Sequence, residues 1–379
     1  MAASVHLVAG KATDSVTHGF LPAAARLGLD VTLLTDRPGV HRFEGTIVEC
    51  DVSDFREIIA AADGPPAAVF SNSDFLQAPT ALAAAYFGLP GKDWRAATRA
   101  KNKALMRRHL ASSDPVFSAD ARRVPPDAPY PLIVKPREGV ASEDVFLVRD
   151  AEELAERVDE IAARRDDPLV AEQYLPGDLY TLETLGDGRE LRVLGSFRTS
   201  LSPPPFFVEE RLEWVEPPPE TNQVLKQLEC LGVGFGACHT EFVVHEGRAH
   251  LIEVNYRLIG DHCDFLLADL LDVPLFEQIW KVHLGEPLED WPAPPRRHGV
   301  AEPIIADRSG ELTAAPGPLE LDDGPVRLTY LPQRAVGDTV TVTRTNRDYL
   351  GTVRAIGPGP EEVDATLARF RANHEWTIA

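Results

Sequence analysis

The chain carries the run His239-Thr240-Glu241-Phe242-Val243-Val244 and, after a short turn, the run Leu251-Ile252-Glu253-Val254-Asn255-Tyr256-Arg257. Both runs have the composition of buried β-strands, and together they predict a hairpin. A carboxylate in a buried strand is costly unless a cation or another partner compensates its charge. Two Glu and one Asn offer the oxygen ligands that Mg²⁺ prefers, so we interpret Glu241, Glu253 and Asn255 as a magnesium site.

The register of this hairpin decides whether the three ligands can meet. Glu253 and Asn255 share one face of their strand because side chains alternate along a strand. Glu241 reaches the same site only if it lies opposite Glu253. A two-residue turn at Glu246-Gly247 would place Glu241 opposite Ile252, so the site requires a turn of odd length or a β-bulge. The competing interpretation is an ordinary amphipathic hairpin whose charges face water.

Length and composition limit the class of protein. A chain of 379 residues is long enough for two or three lobes, and its 44% hydrophobic content supports a sizeable core. The net charge of −21 argues against a nucleic-acid or anionic-membrane surface. The four cysteines form no CxxC pair, which indicates reduced thiols. We find no signal-peptide pattern and no apolar run of membrane-spanning length, and we therefore expect a cytoplasmic protein.

Strands and helices alternate at the start of the chain. The pattern predicts strands over residues 5–9, 31–34 and 67–71, with helices over 15–27 and 55–62. This order is typical of a doubly wound parallel lobe, which we assign to residues 1–96. Gly10 follows the first strand without a GxGxxG motif, so a dinucleotide site is poorly supported. We expect the lobe to form one wall of a substrate cleft.

Two strands in the middle of the chain carry candidates for contact with phosphate. Lys135 ends an apolar strand, where a lysine is rare without an anion to bind. The small-residue loop that follows contains Gly139 and Ser142 and can fold over phosphates. The strand at residues 170–175 then supplies a polar hinge. Each feature alone is more often structural, and their order ahead of the hairpin is the specific signal.

This order of motifs resembles the ATP-grasp superfamily, in its carboxylate–amine ligase branch, over nearly the whole chain. The resemblance implies an α/β fold, α+β overall, in which the N-terminal doubly wound parallel lobe precedes the ATP-grasp core. Residues 97–176 would form a helical linker and the ATP-grasp lid, and residues 177–294 the central catalytic subdomain and its sheet. Residues 295–379 would form a mainly β C-terminal subdomain.

The resemblance also implies roles for individual residues. Lys103 and Lys135 would contact the nucleotide phosphates, and Lys135 and Arg257 would act in catalysis. The remaining nucleotide contacts are expected from Gly139, Ser142, Glu172, Gln173, Tyr174 and Leu175. Glu241, Glu253 and Asn255 would hold one or two Mg²⁺ ions, or Mn²⁺. Arg257 would steady an acyl phosphate or its carboxylate precursor.

The chain departs from many members of that superfamily at two points. The phosphate loop has a single glycine, Gly139, where relatives often carry several. The position two residues after Gly177 is Leu179, where relatives often carry an acidic residue proposed for the ribose. Asp178 or Glu183 is our candidate for that contact. The metal set is intact, so we expect an active enzyme.

The chemistry implied by the resemblance is amide formation driven by ATP. A carboxylate attacks the γ-phosphate to give an acyl phosphate, and an amine then displaces phosphate. The substrate residues are expected to be Arg198, Glu209, Glu210, His239, Arg257, Gly260 and His262. The implied partners are a small-molecule carboxylate and an amine, without nucleic acid or membrane, and a homodimer is the assembly left open. We favour an amino-acid substrate in siderophore or peptide natural-product biosynthesis.

Other interpretations of the same sequence stay open. A biotin-carboxylase-like enzyme or a small-molecule kinase would use the same ATP-binding parts, and a silent nucleotide-binding module would lack turnover. Glu209 and Glu210 can also be interpreted as a pair of surface carboxylates that face water and bind no substrate. His239 and His262 are candidate proton acceptors from the amine, and structural histidines are the alternative.

Overall fold

The computed structural model describes residues 2–379, and its first element is a four-stranded parallel sheet. Its strands are β1 (Ser4–Val8), β2 (Asp30–Thr35), β3 (Thr46–Glu49) and β4 (Ala68–Phe70). Their order in the sheet is β3-β2-β1-β4, so the predicted parallel lobe is confirmed. The connecting helices are a π-helix at Ser15–Phe20 that continues into α1 (Leu21–Arg26), then α2 (Phe55–Ala60) and α3 (Gln77–Tyr86).

The basic segment between residues 98 and 110 has a periodicity that predicts a single helix, but the structure contains two helices there. Helix α4 spans Trp94–Lys101 and helix α5 spans Lys103–Leu110. Asn102 between them has extended backbone angles, and its side chain accepts a hydrogen bond from the backbone N–H of Leu105. Asn favours this capping position, so the break is encoded locally. It places Lys103 at the start of α5, where it faces the hairpin.

The lid is a four-stranded antiparallel sheet with one helix against it. Its strands are β5 (Ser118–Asp120), β6 (Leu132–Pro136), β7 (Phe146–Val148) and β8 (Leu169–Gln173), in the order β5-β8-β6-β7. Helix α6 (Ala151–Ala162) buries Leu154, Val158 and Ile161 in the lid's own small core. Lys135 lies near the end of β6 and Glu172 near the end of β8, so the lid brings both side chains toward the central sheet.

A nine-stranded sheet forms the centre of the molecule. Its strands are β9 (Asp178–Asp187), β10 (Leu191–Leu201), β11 (Glu209–Val215), β12 (Phe235–His245), β13 (Arg248–Asn255), β14 (His298–Ile305), β16 (Leu319–Asp323), β17 (Val326–Pro332) and β19 (Tyr349–Gly357). Their order is β13-β12-β9-β10-β11-β14-β19-β17-β16. Strands on both sides of residue 295 share this sheet, so the central and C-terminal regions are structurally continuous.

The remaining elements surround the central sheet. Strands β15 (Gly310–Ala314), β18 (Thr339–Val340) and β20 (Thr377–Ile378) form a small separate sheet. The helices are α7 (Thr221–Leu231), α8 (Cys263–Leu271), α9 (Leu275–His283) and α10 (Pro360–Asn373). Within residues 2–379, none of the helices has the length and apolarity needed to span a bilayer. The mixed α/β fold, with its antiparallel centre and mainly β C-terminal region, is the predicted one.

Aromatic packing fixes the N-terminal lobe against the centre. Phe20 and Phe70 of the lobe pack against Phe276 and Trp280 of α9, with ring centroids 5.0–6.5 Å apart. The indole N–H of Trp280 donates a hydrogen bond to the backbone carbonyl of Phe20 at 3.0 Å. These side chains are buried, and aromatic pairs of this kind contribute beyond their buried area. The cleft wall formed by the lobe is therefore firmly held.

The hairpin of β12 and β13 has the register that the metal site requires. Its turn is the two residues Glu246-Gly247, with positive φ values of 50° and 73°, as a type I′ turn needs. A regular ladder from this turn would place Glu241 opposite Ile252. The ladder instead shifts by one residue between Glu241 and Phe242, so Glu241 lies opposite Glu253. Of the two ways to achieve this register, the molecule uses the bulge and not a turn of odd length.

We expect paired cysteines to report this register. In a background in which exposed Cys230 and partly exposed Cys50 are serine, Glu241→Cys with Glu253→Cys should oxidise to a cross-link, because directly opposed residues approach within reach of a disulfide. The control pair, Glu241→Cys with Ile252→Cys, should keep both thiols. Free thiols counted after mild oxidation decide the result, and cross-linking of the control pair alone would contradict the bulge.

Candidate active site

The lid and the central sheet enclose a cleft beside the strand end of β8, which we call the hinge cleft. The predicted residues that line it are Lys103, Lys135, Gly139, Ser142, Glu172, Gln173, Tyr174, Leu175, Glu241 and Glu253. Its apolar wall consists of Ile133, Val140, Leu179, Leu201, Phe207, Val243 and Ile252. The lining thus combines apolar side chains that suit a flat heterocyclic ring with lysines and carboxylates that suit phosphate and metal.

A second cleft adjoins the first, and we call it the hairpin cleft. The predicted residues that line it are Ser142, Glu209, His239, Glu241, Glu253, Asn255, Arg257 and Gly260. Glu241, Glu253 and Glu209 line both clefts, so the carboxylates form the boundary between them. A group held at this boundary can contact one molecule from the hinge side and another from the hairpin side. This is the arrangement that a transfer reaction between two substrates requires.

Some of the predicted residues lie elsewhere. Asp178 and Glu210 are exposed, and Arg198 forms an ion pair with Glu213 at 2.6 Å on the outer part of the sheet. These three side chains line neither cleft. Glu183 is buried one strand away from the hairpin. His262 lies beyond Arg257, against the N-terminal lobe.

The proposed metal ligands match the oxygen chemistry of Mg²⁺. Glu241 and Glu253 are cross-strand partners, and Asn255 follows two residues after Glu253 and lines the hairpin cleft with both. Among residues 2–379, no three or more His, Cys, Asp or Glu side chains are grouped for a metal, so the set relies on the Asn255 amide oxygen. A cation held by so few protein ligands keeps positions for phosphate oxygens and water, as Mg²⁺ commonly does.

Lys103 is tied directly to this set. Its ammonium lies 2.8 Å from the Glu253 carboxylate, and both groups are largely shielded from water. Burial alone would lower the pKa of Lys103, but the Glu253 carboxylate raises it above the ordinary value. Lys103 is therefore a fixed cation beside the carboxylates, where a phosphate oxygen can share it.

A buried charge network holds Lys135 in place. Glu172 accepts from Lys135 at 2.9 Å and from Arg107 at 3.2 Å. Arg107 also contacts Asp114 at 3.2 Å, and Asp114 contacts His250 at 2.6 Å. Burial alone would raise the pKa of Glu172, but Arg107 and Lys135 lower it to about 2. Glu172 is thus an anion that orients a phosphate-binding lysine at the hinge.

Three members of that network were not predicted from the sequence. Arg107 stood out only as part of a basic helix, and Asp114 and His250 gave no signal at all. Asp114 lies four residues after α5, and its partner His250 is 136 positions away. Contacts of this kind depend on the packing of separate segments, which a single sequence does not reveal.

The phosphate loop is held by the C-terminal region. Ala141, Ser142 and Asp144 have positive φ values of 54–58°, which is unusual for residues with a side chain. The backbone N–H of Asn346 donates to the Ala141 carbonyl at 3.0 Å, and Arg347 lies 2.6 Å from Glu143. These contacts stabilise a loop conformation that its single glycine would not favour alone.

The hairpin cleft contains two strongly perturbed groups. Burial and the neighbouring Glu241 carboxylate raise the pKa of Glu209 to about 8. His239 lies 2.7 Å from Glu183 and 3.6 Å from Glu241. Burial alone would lower the pKa of His239, but these carboxylates, Glu183 first, raise it to about 10. These two carboxylates favour the cationic form of His239.

Two family descriptions match separate parts of the chain. Residues 100–261 match the ATP-grasp domain. Residues 303–378 match the L-amino acid ligase C-terminal domain 2. The first match contains the lysines, the hinge and the hairpin, and the second contains Asn346 and Arg347.

Individual proteins also resemble the chain over most of its length. The uncharacterized protein y4rH of Sinorhizobium fredii is 29% identical over 374 residues, which are 91% of this chain and 74% of that protein. The crystal structure of L-amino acid ligase from Bacillus licheniformis matches with a TM-score of 0.80 and 21% identity, covering 100% of this chain and 99% of that one.

A carboxylase shares the fold as well. The biotin carboxylase domain of Hydrogenobacter thermophilus 2-oxoglutarate carboxylase, in complex with MgADP, ADP and bicarbonate, matches with a TM-score of 0.74 and 15% identity. That match covers 100% of this chain and 91% of the carboxylase chain. At these identities both structural matches demonstrate a common fold.

We expect Glu172→Gln to lower the free energy of unfolding by about 3–5 kcal/mol, because it leaves Lys135 and Arg107 buried without their shared anion. Denaturant unfolding followed by circular dichroism measures the loss. Glu160→Gln is the matched control, since Glu160 pairs with Arg157 and Arg164 at the surface and its loss should cost less than about 1 kcal/mol. Equal losses in both variants would contradict the network.

The same carboxylate gives a pH dependence. Since the pKa of Glu172 is lowered from 4.5 to about 2 by folding, its stabilising effect is complete above pH 4.5 and disappears as the pH falls toward 2. The difference in unfolding free energy between the wild type and Glu172→Gln should therefore narrow over that interval. A difference that stays constant from pH 6 to about pH 2 would show that Glu172 is not held as an anion.

Proposed function

The chain belongs to the ATP-grasp superfamily, in its carboxylate–amine ligase branch, and we propose that it joins an amino-acid carboxylate to an amine through an acyl phosphate. It is an ATP-grasp ligase that forms carbon–nitrogen bonds. The proposal is supported mainly by the carboxylates of Glu209, Glu241 and Glu253, which line the boundary of the two clefts. Nucleotide phosphates on the hinge side and a carboxylate on the hairpin side would meet there.

Activation of the carboxylate is the first step. A carboxylate oxygen attacks the γ-phosphorus of ATP, the bond to the β-phosphate oxygen breaks, and ADP leaves. Lys103 and Lys135 would neutralise the phosphates from the hinge side, where Glu253 and Glu172 hold them. Arg257 lies in the hairpin cleft, where its guanidinium can orient the incoming carboxylate. This step depends mainly on positioning and charge neutralisation.

A bound metal ion would assist the activation of the carboxylate. ATP with Mg²⁺ is the nucleotide–metal pair of the ATP-grasp family, and Glu241, Glu253 and Asn255 would hold one or two such ions, with Mn²⁺ as a substitute. The bound metal would supply further charge neutralisation at the phosphate oxygens. The bulged hairpin would set the position of such an ion, because it brings Glu241 opposite Glu253.

Amide formation is the second step. The amine nitrogen attacks the acyl carbon, the carbon–oxygen bond to phosphate breaks, and phosphate leaves while the nitrogen loses a proton. Half-buried Glu209 lines both clefts, and we assign it to an ammonium group of a substrate. The phosphate loop, closed by Asn346 and Arg347, would exclude water that hydrolyses the acyl phosphate. We further propose a siderophore or peptide natural-product pathway, since the branch that the sequence resembles includes such ligases.

The carboxylase alternative shares the fold. The match of residues 303–378 to an L-amino acid ligase domain supports amide formation. The products separate the alternatives, because a carboxylase needs bicarbonate, and a kinase yields a phosphorylated product that accumulates.

We expect Glu253→Gln to lower the rate of phosphate release about a hundredfold to a thousandfold, because it removes a charged ligand from the metal set and leaves Lys103 without its anion. Circular dichroism should show an unchanged fold. Glu246→Gln in the exposed turn is the matched control and should keep full activity. Undiminished turnover in Glu253→Gln would contradict the metal assignment.

A phosphate-release screen over pairs of amino acids, with mass spectrometry of the products, tests the proposed reaction. We expect phosphate release that requires both partners and a product whose mass is the sum of the two minus water. Release that depends on bicarbonate, or a stable phosphorylated amino acid without an amide, would overturn it.

A further inference from the structure

A third cavity lies where the N-terminal lobe meets the centre, and we call it the N-terminal cavity. Its volume is about 580 Å³. The loops that follow β1, β2, β3 and β4 form one side, and residues 257–264 form the other. Strand β1 lies between β2 and β4, so this is the switch point of the parallel sheet, where ligands typically bind. The size is within the range of small-molecule sites.

The N-terminal cavity is continuous with the hairpin cleft. The residues that line both are Val140, Arg257, Gly260, Asp261 and Arg347. A substrate whose carboxylate or amine is near Arg257 can therefore extend its other end into the N-terminal cavity. This route would make the lobe a determinant of substrate choice.

The lining is predominantly acidic. It contains the six aspartates Asp14, Asp36, Asp51, Asp74, Asp261 and Asp264. Two of the aspartates are paired, Asp36 with Arg37 at 3.6 Å and Asp74 with Lys101, and Arg347 pairs with Glu143 at 2.6 Å outside the lining. The four remaining aspartates outnumber the two remaining cations, Lys11 and Arg257, so the cavity keeps an excess of negative charge.

One of these aspartates lacks a partner that its burial requires. Asp264, in the first turn of α8, is 0% exposed. Its Oδ1 accepts from the backbone N–H of Phe265 at 3.0 Å, while its Oδ2 makes no hydrogen bond within residues 2–379. Burial raises the pKa of Asp264, and Ser15, His262 and Arg354 beside it oppose the shift only in part. A fully buried carboxylate oxygen of this kind is costly, and a cationic ligand would satisfy it.

A second polar atom beside it is also unsatisfied. His262 is buried, its Nε2 lies 3.1 Å from Asp14, and its Nδ1 makes no hydrogen bond within the described residues. His262 and the preceding Asp261 have positive φ values of 65° and 54°. Backbone strain of this kind is commonly retained at binding sites. The π-helix that begins at Ser15 faces the same cavity, and such turns are frequent at functional sites.

We propose that the N-terminal cavity binds the positively charged side chain of an amino-acid substrate, with Asp264 as its anionic contact. The inference rests on the proposed ligase function and names the class of one substrate. A guanidinium or an ammonium at the end of a flexible chain fits both the acidic lining and the unsatisfied carboxylate oxygen. A neutral polar side chain would supply a hydrogen bond but would not compensate the charge.

Paired substrates of equal shape test the charge requirement. We expect arginine to be used with a kcat/KM about tenfold to a hundredfold higher than citrulline, and lysine likewise over 6-hydroxynorleucine, because a charged hydrogen bond in a buried site is lost with the neutral analogue. Fragmentation of the product in a mass spectrometer shows whether the cationic amino acid supplies the carboxylate or the amine. Calorimetric titration of arginine and citrulline into the protein gives the same comparison without turnover.

Variants assign the preference to the cavity. Asp264→Asn should reduce the arginine-to-citrulline ratio of kcat/KM at least tenfold, mainly through a higher KM for arginine. Asp14→Asn, at a half-exposed position that tolerates substitution better, should reduce the ratio in the same direction and keeps the test valid if Asp264→Asn does not fold. Asp290→Asn, at an exposed aspartate outside all three cavities, is the matched control and should keep the wild-type ratio.

The outcomes separate this inference from the ligase proposal. Amide formation with equal use of arginine and citrulline would overturn the inference and leave the ligase function standing. A preference for arginine that persists in both Asp264→Asn and Asp14→Asn would likewise overturn it. Absence of amide formation with every amino-acid pair, charged or neutral, would instead contradict the ligase function. The calorimetric comparison of arginine with citrulline would then test the charge preference of the cavity without turnover.

Discussion

The contact between Lys103 and Glu253 is the constraint on which the site depends. It joins the start of α5 to the bulged hairpin, two segments that are 150 residues apart in sequence, at an Nζ–Oε1 distance of 2.8 Å. The bulge places Glu241 opposite Glu253, and the break at Asn102 aims Lys103 at the pair. Together these two local features bring a cation and two carboxylates to the boundary between two clefts. The lid adds a second lysine, Lys135, to the lining of the hinge cleft.

The lid and the C-terminal region both stabilise the site, although neither forms it alone. Each does so through contacts that compensate charge or hold a loop. Glu172 compensates Lys135 and Arg107 within the hinge, and its low pKa reflects those two cations. Asn346 and Arg347 hold the phosphate loop over the boundary. Because β14 and β19 continue the central sheet, these C-terminal contacts are anchored to the same sheet as the hairpin. The N-terminal lobe, packed on α9, adds an acidic wall to the same chamber.

The elements that could be predicted from sequence are those with local signals. The alternation of apolar strands and helices predicts the parallel lobe. The polar residues in the apolar hairpin predict that Glu241 and Glu253 are neighbours. The split of the basic helix was missed although the cap at Asn102 is a local signal, because the residues on both sides have helical periodicity. Asp114, His250 and Asn346 could not be found, since each acts through a contact with a segment more than 100 residues away. Arg198 and Glu210 lie outside the clefts because alternation along their strands turns them outward.

A crystal structure with Mg²⁺ and a non-hydrolysable ATP analogue tests the central claim most directly. We expect an ion about 2.1 Å from oxygens of Glu241, Glu253 and Asn255, bridged to the phosphates, with Lys103 and Lys135 within hydrogen-bonding distance of phosphate oxygens. An ion held by the phosphates alone, or a nucleotide bound away from the boundary of the two clefts, would contradict it.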